Sequence, residues 1–295
     1  MLEAMEAPLD VFAAQLREPL PQGVILAATP LGNPGDATFR LVNALARADV
    51  IAAEDTRRTR ALAAALGVTP TGSIVSNFDH NEADRVEQLL EAARHGSVLV
   101  VTDAGMPVVS DPGLNIVAAA HAAGVPVTCL PGPSAVPTAL ALSGLGVGHF
   151  AFDGFAPRKQ GAKRTWLEEV ARSRRAVAFF ESPHRIEATL EEMEEVLGDT
   201  RRVAVCRELT KTYEEVFVGT LPEVRAWAQG GVRGEITVVV DAADDTPPES
   251  ADLVSVVLAR VEAGERLKDA AKAVAKEYGA KPKALYDAVL AARDM

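Results

Sequence analysis

The sequence predicts an α/β protein: a mostly parallel sheet in its amino-terminal half, a mixed sheet in its second half, and a small helical unit at its carboxyl end. Three observations carry this reading. Apolar strand-length runs alternate with amphipathic helix-length segments over residues 24–143, the pattern of a parallel sheet with helical crossovers. Val98–Thr102 is almost purely β-branched or aliphatic, which fits a strand buried on both faces. Two later strand-like runs, 202–207 and 214–219, lie close enough together to form a hairpin, so the second sheet mixes directions.

The elements follow in order. Residues 1–22 are acidic and punctuated by proline, and read as an amino-terminal arm. Val24–Ala28 is the first strand of a domain spanning 23–145, and it runs into the rigid loop Thr29–Asp36. A helix over 38–48 places Phe39, Val42, Leu45 and Ala46 on one face. Strand Val50–Ala53 ends at Glu54-Asp55-Thr56-Arg57, where Asp55 or Thr56 caps a helix over 56–66 that stops before Gly67. A short strand, Ile74–Ser76, leads through Asn77-Phe78-Asp79-His80-Asn81-Glu82 into a helix reaching Arg94. After the central strand comes Asp103–Gly113, a loop with two prolines, two glycines and two acids, longer than a strand-to-helix connection needs. A helix over 114–123, a strand over 125–130, the turn Pro131-Gly132-Pro133-Ser134 and a helix over 134–143 complete the domain. Gly144, Gly146 and Gly148 follow a helix rather than a first strand, so they read as a hinge and not as a dinucleotide loop.

The second domain, 146–241, is expected to hold strands at 149–153, 176–181, 202–207, 214–219 and 235–240, with helices at 161–173, 184–197 and 221–229. Residues 242–250 form a Pro-rich linker, and 251–295 a helical unit. In that unit Leu267, Ala271, Val274 and Tyr278 make an apolar stripe, with Lys268, Lys272 and Lys276 on a neighbouring face. Gly279 ends this helix and Pro282 begins the next, with Leu285, Val289 and Leu290 inward. The lysines are either a solvated face or a phosphate-contacting helix pair similar to helix-turn-helix packing.

Composition excludes several classes. The net charge of −11 rules out a wholly basic nucleic-acid binder but leaves room for a local basic patch. Cys129 and Cys206 sit in separate apolar runs and read as buried thiols in a reducing compartment. The five histidines are scattered without zinc-ligand spacing, so no metal is expected. The amino terminus has no basic region followed by an apolar run, and no stretch is apolar enough to span a membrane. A cytoplasmic protein is therefore expected.

Three rigid loops, Thr29–Asp36, Asp103–Gly113 and Pro131–Ser134, end parallel strands and should converge on one rim. They offer backbone N–H groups, few side-chain charges and much apolar wall, which suits a compact, mostly neutral ligand with an adenine and a ribose. No phosphate-binding loop with a lysine occurs among them. The basic residues lie elsewhere. Pro157–Arg175 contains Arg158, Lys159, Lys163, Arg164, Arg172, Arg174 and Arg175, broken only by Glu168 and Glu169, the footprint of polyanion contact. Phe180-Glu181-Ser182-Pro183-His184-Arg185 and Arg207-Glu208-Leu209-Thr210-Lys211 each mix charges at the end of an apolar strand, as a catalytic constellation or an ion-pair network would.

Taken in order, Thr29-Pro30-Leu31-Gly32-Asn33, Ala53–Arg57, Asp79–Glu82, Asp103-Ala104-Gly105-Met106-Pro107, Ser110–Gly113, Pro131-Gly132-Pro133, Glu181–Arg185 and Arg207–Lys211 form a specific set. The chain resembles the bacterial small-subunit ribosomal RNA 2′-O-ribose methyltransferases of the tetrapyrrole (corrin/porphyrin) methylase superfamily. The resemblance spans about residues 23–240 and extends more weakly into the lysine-rich helices. Met106 stands where that family usually has a small polar residue, and Phe78 where a histidine is common. The resemblance implies two α/β domains of tetrapyrrole-methylase type with S-adenosylmethionine in the cleft between them, and a homodimer. It implies methyl transfer to the ribose 2′-hydroxyl of a cytidine in the decoding region of the small ribosomal subunit rRNA. The cofactor residues it carries over are Leu31, Asp103, Gly105, Pro107, Val108, Pro133 and Ser134 from the first domain, and Phe180, Glu208 and Gly234 from the second.

Proton removal from the hydroxyl falls to Glu181, Glu208, His184 or Lys211, with one of the two glutamates favoured and Lys211 and Arg185 orienting the RNA. Arg57, Arg158, Lys159, Lys163, Arg164 and Arg185 are the expected RNA contacts. Rival readings are a methylase of the same superfamily acting on a tetrapyrrole or other small molecule, a non-catalytic RNA-binding assembly factor and, more distantly, a dinucleotide oxidoreductase.

Overall fold

The computed structural model describes residues 13–78, 82–243, 250–278 and 280–293. Most of the expected arm, Asp79-His80-Asn81, most of the linker and Gly279 lie outside the described residues. The chain divides into two compact units, Met1–Ala242 and Ala243–Met295.

The first sheet contains β1 (Gly23–Ala27), β2 (Val50–Ala53), β3 (Ser73–Ser76), β4 (Ser97–Val101) and β5 (Val127–Leu130), in the order β3-β2-β4-β1-β5. Every pairing is parallel. Its helices are α1 (Phe39–Arg47), α2 (Thr56–Ala65), α3 (Glu82–His95) and α4 (Leu114–Ala122). The apolar run of β4 is explained by its position: all five residues are buried. Leu99 and Val101 join Ile25, Leu41 and Leu45 on one face, and Val98 and Val100 join Leu89 and Ile116 on the other. Adjacent β1 and β4 send their connections to opposite sides, one leading to β2 and the other to β5. That reversal opens a crevice at their carboxyl ends, where ligands bind in open α/β sheets.

The second sheet contains β6 (Phe150–Phe155), β7 (Ala176–Glu181), β8 (Arg202–Arg207), β9 (Glu215–Thr220) and β10 (Ile236–Val240), in the order β6-β7-β10-β8-β9. Only β6 and β7 are parallel, and β8 and β9 form the expected hairpin. One face carries Val177, Phe179, Val205 and Val238 against α6 (Gln160–Arg172), α7 (Ile186–Leu197) and α8 (Leu221–Ala228).

The other face carries four small residues, Ala176, Ala178, Ala204 and Cys206, beside Val239. It is covered by α5 (Ala135–Ser143) through Val136, Ala139 and Leu140, and by Leu31 from the loop after β1. The expected boundary at residue 145 thus falls behind a helix whose apolar side chains pack in the core of the second sheet. Gly144 takes the left-handed conformation (φ 62) that stops α5, so the first glycine of the expected hinge is a helix cap.

The carboxyl-terminal unit holds α9 (Ser250–Glu262), α10 (Leu267–Tyr278) and α11 (Pro282–Arg293) around Leu253, Val257, Ala271, Val274, Leu285 and Val289. Leu290 is exposed rather than inward, because α11 presents Leu285 and Val289, four residues apart, as its buried edge.

Candidate functional site

Loops from both sheets enclose one cavity of about 380 Å3. Its floor on the first-sheet side is set by main chain. Thr29 and Gly105 exchange both backbone hydrogen bonds, at 2.9 and 3.0 Å, and so tie the loop after β1 to the loop after β4 across the crevice. The β4 loop is then wound tightly: Val108 (φ 75) and Ser110 (φ 64) both adopt left-handed backbone, strained for any residue and most of all for a β-branched valine. Glu82 at the start of α3 holds the far end of this loop. Its Oε1 accepts from the backbone N–H of Gly113 (2.8 Å) and Asn115 (2.9 Å), and its Oε2 from the Asn115 amide (3.0 Å).

Asp103 sits between two strand ends. Its Oδ1 accepts from Asp55 N (3.2 Å) and its Oδ2 meets Arg58 Nη1 (3.2 Å), while its own N–H donates to Glu54 Oε2 (3.0 Å). The Glu54–Arg58 segment thereby stitches β2 to β4. Asp55 caps α2, and hydrogen bonds from the Arg57 side chain and backbone hold its carboxyl well below the usual carboxylate range. Arg57, an expected RNA contact, turns back onto this cap; Arg58 is the arginine on the cavity wall.

The second sheet supplies the opposite wall. Phe180 packs edge-on against Phe152 and Phe155, with ring centroids 5.0 and 5.4 Å apart. Glu181 is buried, and donors converge on both its oxygens: Ser182 N (2.7 Å) and the Arg185 guanidinium on Oε1, and Thr189 Oγ1 (2.7 Å) on Oε2. Arg185 also donates to Ala156 O, so this expected RNA contact is engaged within the fold.

Glu208 adopts left-handed backbone (φ 52), and its Oε1 accepts from Lys211 Nζ (2.8 Å) and Glu235 N (2.9 Å). Lys211 also reaches Glu235 Oε2 at 2.9 Å. The Lys211 hydrogen bond outweighs burial and lowers the Glu208 carboxyl below its ordinary value. Burial opposes the Lys211 charge, but the hydrogen bonds it donates to Glu208 and Glu235 raise its pKa overall. Two glycines make room for this triad. A β-carbon at Gly234 (φ 90) would overlap the Glu208 side chain, and one at Gly32 would overlap the Lys211 stem.

The cavity thus brings together Leu31, Asp103, Gly105, Ser134, Phe180, Glu181 and Gly234 of the expected residues. Pro107, Val108 and Pro133 frame the loops, and Glu208 and Lys211 stand behind Gly234 and Glu235 rather than on the lining. Arg58, Met106, Phe155 and Glu235 also line it, and sequence reasoning missed them. Arg58 was accessible: on a helix capped by Asp55, position 58 shares the cap's face. At the start of α5, Ser134 makes no capping hydrogen bond, and the helix N-terminus on the lining favours a carboxylate.

The basic stretch does not survive intact. Lys163 is buried, paired with Glu192 (2.8 Å) beside Thr189, which removes it from the expected RNA contacts. Arg164 lies near Glu168 and Glu195. The acids on α7 neutralise this part of α6, while Arg158 and Lys159 remain exposed before it.

Comparison with known proteins gives consistent matches. The family model of the Tetrapyrrole (Corrin/Porphyrin) Methylases matches residues 23–225. The "Ribosomal RNA small subunit methyltransferase I" of Mycobacterium tuberculosis is 56% identical over 272 residues, covering 92% of this chain and 95% of the relative. The protein of the same name from Halalkalibacterium halodurans is 40% identical over 270 residues, covering 89% and 92%. Among solved structures, the methyltransferase CobJ superposes with a TM-score of 0.57 at 24% identity, covering 76% of this chain and 95% of CobJ. The uroporphyrin-III C-methyltransferase of Thermus thermophilus, complexed with S-adenyl homocysteine, superposes with a TM-score of 0.53 at 20% identity, covering 75% and 97%. At these identities the two structures speak for the fold alone.

Proposed function

The chain belongs to the tetrapyrrole (corrin/porphyrin) methylases, and from that premise we propose that it methylates 16S ribosomal RNA, at the ribose 2′-hydroxyl of a cytidine in the decoding region. S-adenosylmethionine is the methyl donor. The observation that carries the RNA substrate is the match to relatives named for methylation of small-subunit ribosomal RNA, 56% and 40% identical over 272 and 270 residues. An assembly factor without catalysis would have no use for a cavity of this construction.

The cavity residues fit the donor. The apolar and aromatic wall of Leu31, Phe180 and Phe155 accepts a purine, Asp103 accepts hydrogen bonds from ribose hydroxyls or an amino group, and the α5 N-terminus faces a carboxylate. When bound, the donor supplies a methyl group already activated by its sulfonium. The chain's own residues then have to position and desolvate. The wound β4 loop and the Phe180 cluster exclude water from the reacting line. Arg158 and Lys159, exposed ahead of α6, are the residues left to contact RNA phosphates, with Arg58 on the cavity wall. Lys211 fixes Glu208 and Glu235, so that a carboxylate would take the hydroxyl proton as the oxygen gains the methyl group and the donor's S–C bond breaks to leave a neutral thioether. A carboxylate of lowered pKa suffices for a transfer that comes late. A homodimer belongs to the same proposal, and Leu114, Leu142 and Phe150 are among the large apolar side chains left exposed for its contact.

The test is direct. Small ribosomal subunits from a strain lacking this modification are incubated with the chain and methyl-labelled donor, and the label is mapped by nucleotide. Label on one cytidine ribose supports the reading. Label on an added tetrapyrrole with none in the RNA would replace it with the small-molecule alternative, and absence of donor binding in calorimetry with the assembly factor.

A further inference from the structure

The carboxyl-terminal unit carries a second recess, of about 470 Å3, lined by Lys268 and Lys272 of α10 and by Pro282, Lys283 and Tyr286 of α11. Its chemistry differs from that of the first cavity. Lys268 and Lys272 stand one helical turn apart and so face the same way, and Lys283 closes on them from the next helix. All three are exposed, and among the described residues no carboxylate forms an ion pair with them. In a chain of net charge −11, three cations around one recess are a local reversal of sign. Between them lie a tyrosine ring and a proline ring, flat apolar surfaces on which a base can stack. Lys276, the third member of the predicted lysine ladder, does not line the recess.

We propose that this recess is a second RNA-binding site, which takes the phosphates of a single-stranded segment on Lys268, Lys272 and Lys283 and stacks one base on Tyr286. The proposal rests on the RNA substrate argued above and adds to it a contact outside the methylase fold. A duplex would offer these lysines phosphates but no unstacked base for the tyrosine. A membrane surface would call for large apolar side chains around the lysines, and the recess presents only the two rings.

The experiment uses the full chain. Binding to a short fluorescein-labelled single-stranded RNA is measured by anisotropy across a series of KCl concentrations, alongside methylation of unmodified small subunits. Lys268→Ala/Lys272→Ala/Lys283→Ala should lower the salt dependence of log K by about 2, the value for three lost phosphate contacts at ~0.7 each. It should raise KM for subunits, leaving kcat and donor affinity unchanged. Tyr286→Leu, which keeps an apolar side chain against the helix core, should weaken RNA binding at least about fivefold, and Tyr286→Phe should restore it. An unchanged salt slope in the triple variant overturns the proposal, as does equal binding by Tyr286→Leu. Binding to anionic vesicles that the triple variant loses, with RNA binding intact, reassigns the recess to lipid. If the wild type binds RNA with the expected slope but methylates none, the proposed function fails and this site stands.

Discussion

A carboxylate whose lone pairs are filled by its own fold has little left for a substrate, and Glu181 is in that position. Ser182, Arg185 and Thr189 occupy both its oxygens in a buried site. Glu208 shares a lysine with Glu235 near the lining. The two glutamates should therefore separate on substitution. Glu181→Gln leaves Arg185 without its charge partner and should cost about 3 kcal/mol in denaturant unfolding, with kcat of the folded enzyme largely kept. Glu208→Gln should lower kcat about 100-fold in the labelling assay, with a smaller loss of stability than Glu181→Gln in the same denaturant series. The Glu208 carboxyl titrates lower in the folded chain than in the unfolded one. Its contribution to stability is thus complete above its ordinary value of 4.5 and fades as pH falls toward the folded value. The stability gap between wild type and Lys211→Met should accordingly narrow as pH falls below 4.5. The cysteines offer a third contrast. Burial pushes the Cys206 thiol up to about 12, whereas Cys129 is exposed beside Met106. A thiol reagent at neutral pH should titrate one group in the native protein and both after denaturation. The exposure of Cys129 departs from the two buried thiols expected of the sequence, because β5 is an edge strand with one open side.

At the scale of elements, the loops were legible and their fastenings were not. Proline and glycine mark where each parallel strand of the first sheet ends, and the cavity lies where those marks converge. What closes the loops comes from distant positions. Glu82 caps the far end of the β4 loop from α3, and no local pattern announces it. Glu82→Gln should cost about 2 kcal/mol by weakening charge-assisted bonds to two backbone N–H groups. It should also raise KM for the donor, as thermal unfolding and initial rates would show. The basic stretch failed for a related reason. Its neutralising acids, Glu192 and Glu195, lie on α7, and only the packing of α6 on α7 reveals them. Strands and helices of both sheets were readable because burial imposes its period on each of them separately.

For the whole molecule, the sequence made the two sheets visible but not the allegiance of α5, since an apolar helix after β5 could cover either one. Four small residues on the second sheet decide it, by letting a helix approach closely. The exposed Leu114, Leu142 and Phe150 carry the proposal of a homodimer, and light scattering should return twice the chain mass of 31.1 kDa. Leu114→Asp/Phe150→Asp should return the single mass.

The alanine-lined sheet also limits how this protein can be rearranged. A hybrid that takes its first sheet from one relative and its second from another must draw the α5 segment from the same parent as the second sheet. If the join is made after that helix instead, mismatched volumes meet at a surface with no slack, and the product should precipitate on expression. Gene exchange within this lineage would then leave crossovers ahead of residue 135 and few between there and β6.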